Sequence, residues 1–196
     1  MRLTAAGLPT VPSLGFLPWE SADLDRLPSG ATVVKPAHGL QGRGVSFYGS
    51  RVAAEAEART IAWGHVQDLV SEYYLAQPVI GSPGQDVRAY VVDGACVALA
   101  RRKSTQPSEP RANITLGAVA TALPLDHPAA PLAVAATQAL GLDYAGVDLL
   151  ETGDGQLQIL EVDAWAGFAG LEVATGADIS GRILDLAFDK LRRSQA

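Results

Sequence analysis

Three carboxylates, Asp148, Glu161 and Asp163, stand on two apolar segments at a spacing that lets them meet. Residues 145–150 and 156–162 read as strands, and Asp154-Gly155 between them is a hairpin signal. With a two-residue loop, Gly153 pairs with Gln156, and Asp148 then lies opposite Glu161, Cβ atoms about 5 Å apart. Asp163 shares their face because strand side chains alternate. Carboxylates this close repel unless a proton or a cation intervenes. Hard oxygen donors of this kind suit Mg²⁺. A solvent-facing acidic patch is the competing reading, and a loop one residue longer would put Asp148 and Glu161 on opposite faces.

A second set of residues suits anions. Lys35 ends a short β-branched strand at 31–35, and Pro36, Ala37 and His38 lead into a loop with Gly39, Gln41, Gly42, Arg43 and Gly44. Glycines let backbone N–H groups approach a phosphate closely. The loop runs from strand to strand (45–48 returning), and no G-K-[ST] follows, so it is not a Walker motif. His38 and Arg43 read equally well as exposed turn residues. Arg88 lies two residues after Asp86 in a strand, and Arg111 and Asn113 follow a polar loop at 103–112. Guanidinium groups recognise phosphate and carboxylate through forked hydrogen bonds, though Asp86–Arg88 and Glu109–Arg111 also read as surface ion pairs.

The elements that must position these groups are strands more than helices. Strands are expected at 73–80, 87–92 and 96–101, the last two joined by Asp93-Gly94, a type I′ turn signal. Helices are expected at about 51–63 behind a Ser50 cap, at 128–140 and at about 178–192, where Ile179, Ile183, Leu186 and Ala187 share a face. Hairpins outnumber crossovers, so the fold class is α+β rather than a Rossmann sheet. Fifteen basic and 21 acidic residues give a net charge of −6, against general nucleic-acid binding. The basic group of Arg101, Arg102, Lys103 and Arg111 fits a small anion better. One cysteine and three scattered histidines speak against disulfide or zinc frameworks. With no membrane-length apolar run and no signal peptide, the expected location is cytoplasmic.

In chain order these features resemble the ATP-grasp superfamily, in its RimK-type glutamate ligase branch. The resemblance is carried by V-V-K-P-A-H-G-L-Q-G-R-G-V (33–45), G-Q-D-V-R-A-Y-V-V-D-G (84–94), A-R-R-K (100–103) and R-A-N (111–113). The most specific blocks are L-G-L-D-Y-A-G-V-D-L-L-E (140–151) and E-V-D-A-W-A-G-F-A-G-L-E-V-A-T-G-A-D-I-S (161–180). It implies an ATP-grasp fold of two α+β lobes sandwiching a nucleotide, with a lead-in at 1–19, a first lobe at 20–80 and a second at 81–196. Lys35 matches the phosphate lysine, and Gly39, Gln41, Gly42 and Gly44 the flap over the phosphates. Gln77, Pro78, Val79 and Ile80 match the adenine hinge, Asp148, Glu161 and Asp163 the metal ligands, and Arg88, Arg111 and Asn113 the catalytic positions near the γ-phosphate and acyl phosphate.

The implied activity is a ligase using ATP with Mg²⁺ (or Mn²⁺) to join an amino acid, glutamate-like in this branch, to a small-molecule or peptide carboxylate. The alternative is an ATP-binding subunit or regulatory module of a split ligase, inactive alone. Family members usually carry an upstream domain that is expected to be missing here, so a homodimer or a partner chain is expected to replace it. Other departures are Asp163 in place of the usual asparagine, Ala166-Gly167 in place of proline-glycine, and Pro78 where an acidic residue is common.

Overall fold

A computed structural model of the chain describes residues 2–17, 26, 29–38, 44–50, 52–54, 56, 73–106 and 109–194. The chain forms two compact units, one of Val11–Ile80 and one of Met1–Thr10 with Gly81–Ala196. The 1–19 lead-in is therefore divided between them.

The smaller unit carries an antiparallel sheet of β1 (Leu14–Phe16), β2 (Thr32–Pro36), β3 (Ser46–Tyr48) and β4 (Tyr74–Pro78), in the order β1-β4-β2-β3. Thr32, Val34 and Pro36 are buried while Val33 and Lys35 are half-buried, the alternation of a strand with one face on a core. That core is Phe16, Val34, Ala54, Tyr74 and Ala76. β1 was not expected: three residues in a Pro- and Gly-rich stretch carry no period, and pairing with β4 makes them a strand. Ser50 Oγ accepts the Ala53 N–H at 3.2 Å, as a cap should. The helix expected behind it is described only at residues 52–54 and 56.

The larger unit is built on β5 (Gln85–Val92), β6 (Ala95–Lys103), β7 (Val119–Ala122), β8 (Tyr144–Glu151) and β9 (Leu157–Asp163), antiparallel in the order β7-β6-β5-β8-β9. Asp93 (φ 49°) and Gly94 (φ 72°) make the two-residue turn between β5 and β6, both at positive φ as a type I′ turn demands. One face of the sheet packs Val87, Val91, Leu99, Val147, Leu149 and Ile159 against the alanine face of α2 (Ala129–Leu140). The other packs Tyr90, Val92, Ala98 and Ala100 against Leu171 of α3 (Ala169–Thr175) and Ile179 of α4 (Ile179–Ser194). Asp178 Oδ1 accepts the Gly181 N–H at 2.8 Å and so caps the start of α4. The short helix α1 (Arg2–Ala5) leads to Pro9, whose carbonyl accepts the Ile159 N–H at 2.8 Å. The edge strand β7, helix α3 and a 3₁₀ turn at Ile114–Leu116 were not expected; all are short, and β7 is mostly exposed. Among the described residues no helix is long and apolar enough to cross a membrane.

Cys96 faces the α2 side of the sheet, and burial pushes its thiol up to about 11. At pH 8 its thiolate fraction is then roughly a hundredfold below that of an ordinary thiol. Alkylation of the folded chain by iodoacetamide should be slower by about that factor than in denaturant, as followed by mass spectrometry. Equal rates would mean that β6 opens freely.

Candidate active site

The α3/α4 face of the five-stranded sheet carries a ladder of polar side chains in three rows. Arg102 on β6 lies opposite Asp86 on β5. In the next row Arg88 on β5 faces Asp148 on β8, which faces Glu161 on β9. In the third, Tyr90 faces Gly146, which faces Asp163. The expected opposition of Asp148 and Glu161 is therefore present, but by a different route. The turn is one residue longer than a two-residue loop: Thr152 N–H donates to the Gln156 carbonyl, and Gly155 takes φ 80°. A β-bulge then inserts Leu160, so that Leu149 pairs with Ile159 and Asp148 with Glu161. The longer loop shifts the register by one and the bulge shifts it back.

Asp148 is buried at 4% exposure and takes two arginines. Arg88 Nη2 donates to Oδ2 at 3.0 Å, and Arg102 Nη2 lies 2.9 Å from the same oxygen. Arg88 Nε is 2.5 Å from Oδ1 but not aligned as a hydrogen bond. Asp148 Oδ1, Arg88 Nε and Arg88 Nη1 are consequently buried polar atoms without a hydrogen bond. Burial would raise the Asp148 carboxyl, yet Arg88 and Arg102 hold it below its ordinary value. Asp86 goes the other way: burial first, then the Asp148 charge, pushes it up to about 6 against the pull of Arg102. Arg102 itself is held protonated against burial by both aspartates.

Gly146 makes room for this arrangement. A Cβ there would stand 2.5 Å from Arg88 Nη1 and 2.4 Å from the Ala166 Cβ. Glu161 is exposed and Asp163 half-buried, with Asp163 Oδ1 accepting the Trp165 N–H at 2.7 Å. Among the described residues no three His, Cys, Asp or Glu side chains gather closely enough to hold a metal. The backbone puts three hard-oxygen donors on one face, but the Asp148 carboxylate is turned to the arginines. The donor types and their register suit Mg²⁺, while Asp148 Oδ1 is held 2.5 Å from Arg88 Nε.

The other expected residues are not part of this ladder. Arg111 is bound to its neighbour Glu109, Nε to Oε1 and Nη2 to Oε2 both at 2.7 Å, the local ion pair foreseen as the competing reading. Asn113 stands at the start of the 3₁₀ turn without a side-chain cap bond. Lys35, Gly44, Gln77, Pro78, Val79 and Ile80 belong to the smaller unit. Gln77 is buried and donates to Ser13 Oγ at 2.7 Å, while the Val79 N–H donates to the Ala31 carbonyl at 2.9 Å. Gly39, Gln41 and Gly42 lie outside the described residues. Beside Asp163, an apolar groove of about 520 Å³ is lined by Tyr90, Tyr144, Trp165, Phe168, Ile183 and Leu184 among others.

Arg102 was expected only as one of a basic group suited to a small anion, not as the partner of Asp86 and Asp148. The Asp-x-Arg spacing at 86–88 was visible, but its two partners come from neighbouring strands and need the register of both.

The chain belongs to the RimK-like ATP-grasp domain family, whose model matches residues 23–187. It is 35% identical over 184 residues to a probable alpha-L-glutamate ligase of Shewanella halifaxensis (strain HAW-EB4), covering 92% of this chain and 39% of that protein's length. Among solved structures it resembles D-cycloserine synthetase DcsG, with a TM-score of 0.75 at 24% identity, over 97% of this chain and 68% of the other. It also resembles the ATP-grasp ligase PsnB complexed with a minimal precursor, Mg and ADP, with a TM-score of 0.70 at 21% identity, over 97% and 56%. At these identities the structures speak for the fold.

Proposed function

We propose that the chain is the nucleotide-binding and catalytic core of a Mg·ATP-dependent carboxylate–amine ligase, joining a glutamate-like amino acid to a carboxylate acceptor. The observation that carries this reading is the Arg88–Asp148 pair in the buried ladder. Arg88 Nη1 is buried without a hydrogen bond and has a proton to offer an anion, and Asp148 Oδ1, 2.5 Å from Arg88 Nε, is open to a cation once Arg88 turns away. A buried donor without a hydrogen bond is costly, and a phosphate would satisfy Arg88 Nη1 while a metal ion replaced the Arg88 charge on Asp148. The name of the curated relative and the Mg and ADP in the PsnB complex support the same substrates.

In this reading Asp148, Glu161 and Asp163 hold Mg²⁺, which when bound supplies charge neutralisation for phosphoryl transfer. Arg88 turns from Asp148 to the transferred phosphoryl group, and Arg111 and Asn113 orient the acyl phosphate. Lys35 and the loop of Gly39, Gln41, Gly42 and Gly44 serve the nucleotide phosphates, and residues 77–80 the adenine. The acceptor carboxylate oxygen bonds to the γ-phosphorus as the bond to ADP breaks. The amine nitrogen then attacks the acyl carbon, loses a proton and displaces phosphate.

Calorimetric titration of the chain and of Glu161→Gln tests this. Glu161 is exposed, so the isosteric change removes no core packing, and circular dichroism checks that the fold is kept. ATP binding should require Mg²⁺ and weaken at least about tenfold in the variant. Binding unaffected by EDTA would sink the metal assignment, and no binding at all would sink the whole reading.

A further inference from the structure

The two arginines on Asp148 are not equivalent. Arg102 donates through Nε to Asp86 Oδ1 at 2.7 Å and through Nη2 to Asp86 Oδ2 at 2.5 Å, and also reaches Asp148 Oδ2. Both side chains of the Arg102–Asp86 pair are under a tenth exposed. Arg88 has one aligned bond to Asp148, and its Nη1 has none. A guanidinium forked onto a buried carboxylate cannot turn to a ligand without leaving that charge bare. Arg88 can turn more cheaply, because Asp148 keeps Arg102.

We infer that Arg102, anchored by Asp86, is a positioning residue that keeps Asp148 compensated and in place so that Arg88 is free to engage an anionic ligand. The inference rests on the function proposed above. Without Arg102, Arg88 would be the sole guanidinium on a buried carboxylate and would stay there, and ligand binding would suffer through Arg88. A pair that merely packs the sheet would matter for folding and would show no dependence on Arg88.

The test is a double-mutant cycle on Mn²⁺·ATP affinity. Arg102→Met alone would strand Asp86, so the pair is replaced together by Asp86→Leu with Arg102→Met, an apolar swap that leaves no buried charge unpaired. Circular dichroism checks the fold. The paired variant should bind Mn²⁺·ATP at least about tenfold more weakly than the unaltered chain. The dependence on Arg88 is read with Arg102→Lys, which keeps a charge beside Asp148 when Arg88 is Met, and whose loss should fall below about twofold in that background. Affinity of the paired variant within about twofold of the unaltered chain, or the same Arg102→Lys loss in both backgrounds, would overturn the inference. Should the paired variant not fold, Arg102→Lys, which keeps the charge but not the fork, carries the test alone. A second readout needs no ligand: solvent exchange of the Arg88 Nε–H, followed by NMR, should slow in the variant as Arg88 closes on Asp148. If the unaltered chain binds no Mn²⁺·ATP, the proposed function is what has failed. Unchanged Arg88 exchange would then separately overturn the role of Arg102.

Discussion

Asp148→Asn is expected to abolish magnesium-dependent nucleotide binding and to lower stability by about 3–5 kcal/mol, the usual cost of breaking a buried ion pair from one side. Asp148 is 4% exposed and is the anion to which Arg88 is bonded, whereas Arg102 retains Asp86. The variant therefore strands one buried guanidinium. Urea unfolding and calorimetry on the same samples measure the two effects, and a variant as stable as the unaltered chain would show that water reaches Arg88.

The pH dependence carries the same signature. Asp148 is held below its ordinary value, so its stabilising contribution is complete above the ordinary carboxylate range and is lost as pH falls through its lowered value. Asp86 has the opposite sign: raised to about 6, it binds a proton more readily folded than unfolded, so its contribution grows as pH falls from about 6. A loss of stability below about pH 4 should therefore be present in the unaltered chain and weaker in Asp148→Asn.

Gly146→Ala should have the next largest effect, from a single methyl group. Its Cβ would stand under 3 Å from both Arg88 Nη1 and the Ala166 Cβ. The Ala166 carbonyl accepts the Tyr90 hydroxyl at 3.3 Å, so the Ala166 side is less able to give. Arg88, the flexible end, gives first and leaves Asp148. Overpacking of this kind costs about 1–3 kcal/mol, and weaker nucleotide binding should accompany it. Gly153→Ala is the control: nothing lies within 4 Å of its added Cβ, and stability should stay within about 0.5 kcal/mol. Equal behaviour of the two variants in denaturant titrations would mean that Arg88 is not seated against Gly146.

Much of the larger unit was legible because its signals are local. Asp93-Gly94 demands a tight turn, the alanine-rich run at 129–140 demands a helix, and the period of Ile179, Ile183 and Leu186 names the buried face of α4. The short elements β1, β7 and α3 were not legible, since three to seven residues hold too little pattern. Of the site, the acids and Arg88 were visible as residue types, but their partners were not. Glu109 claims Arg111 through bonds two residues apart, an outcome that spacing alone left open.

Residue types, turn chemistry and strand alternation settled which residues could do chemistry here and that a hairpin would carry them. Register was settled by the tertiary structure. Counting back from the Asp93-Gly94 turn alone sets Asp86 opposite Arg101. A bulge after Tyr90 sets it opposite Arg102 instead, and Arg101 turns to Glu151 on the other face. A second bulge at Leu160 restores the opposition of Asp148 and Glu161 that a longer turn would have undone. Both bulges have one physical cause. The sheet is covered on both faces, and each extra residue lets Cys96 with Leu99, and Ile159 with Val162, pack together on the α2 side. The acids and arginines are thereby left on the opposite face.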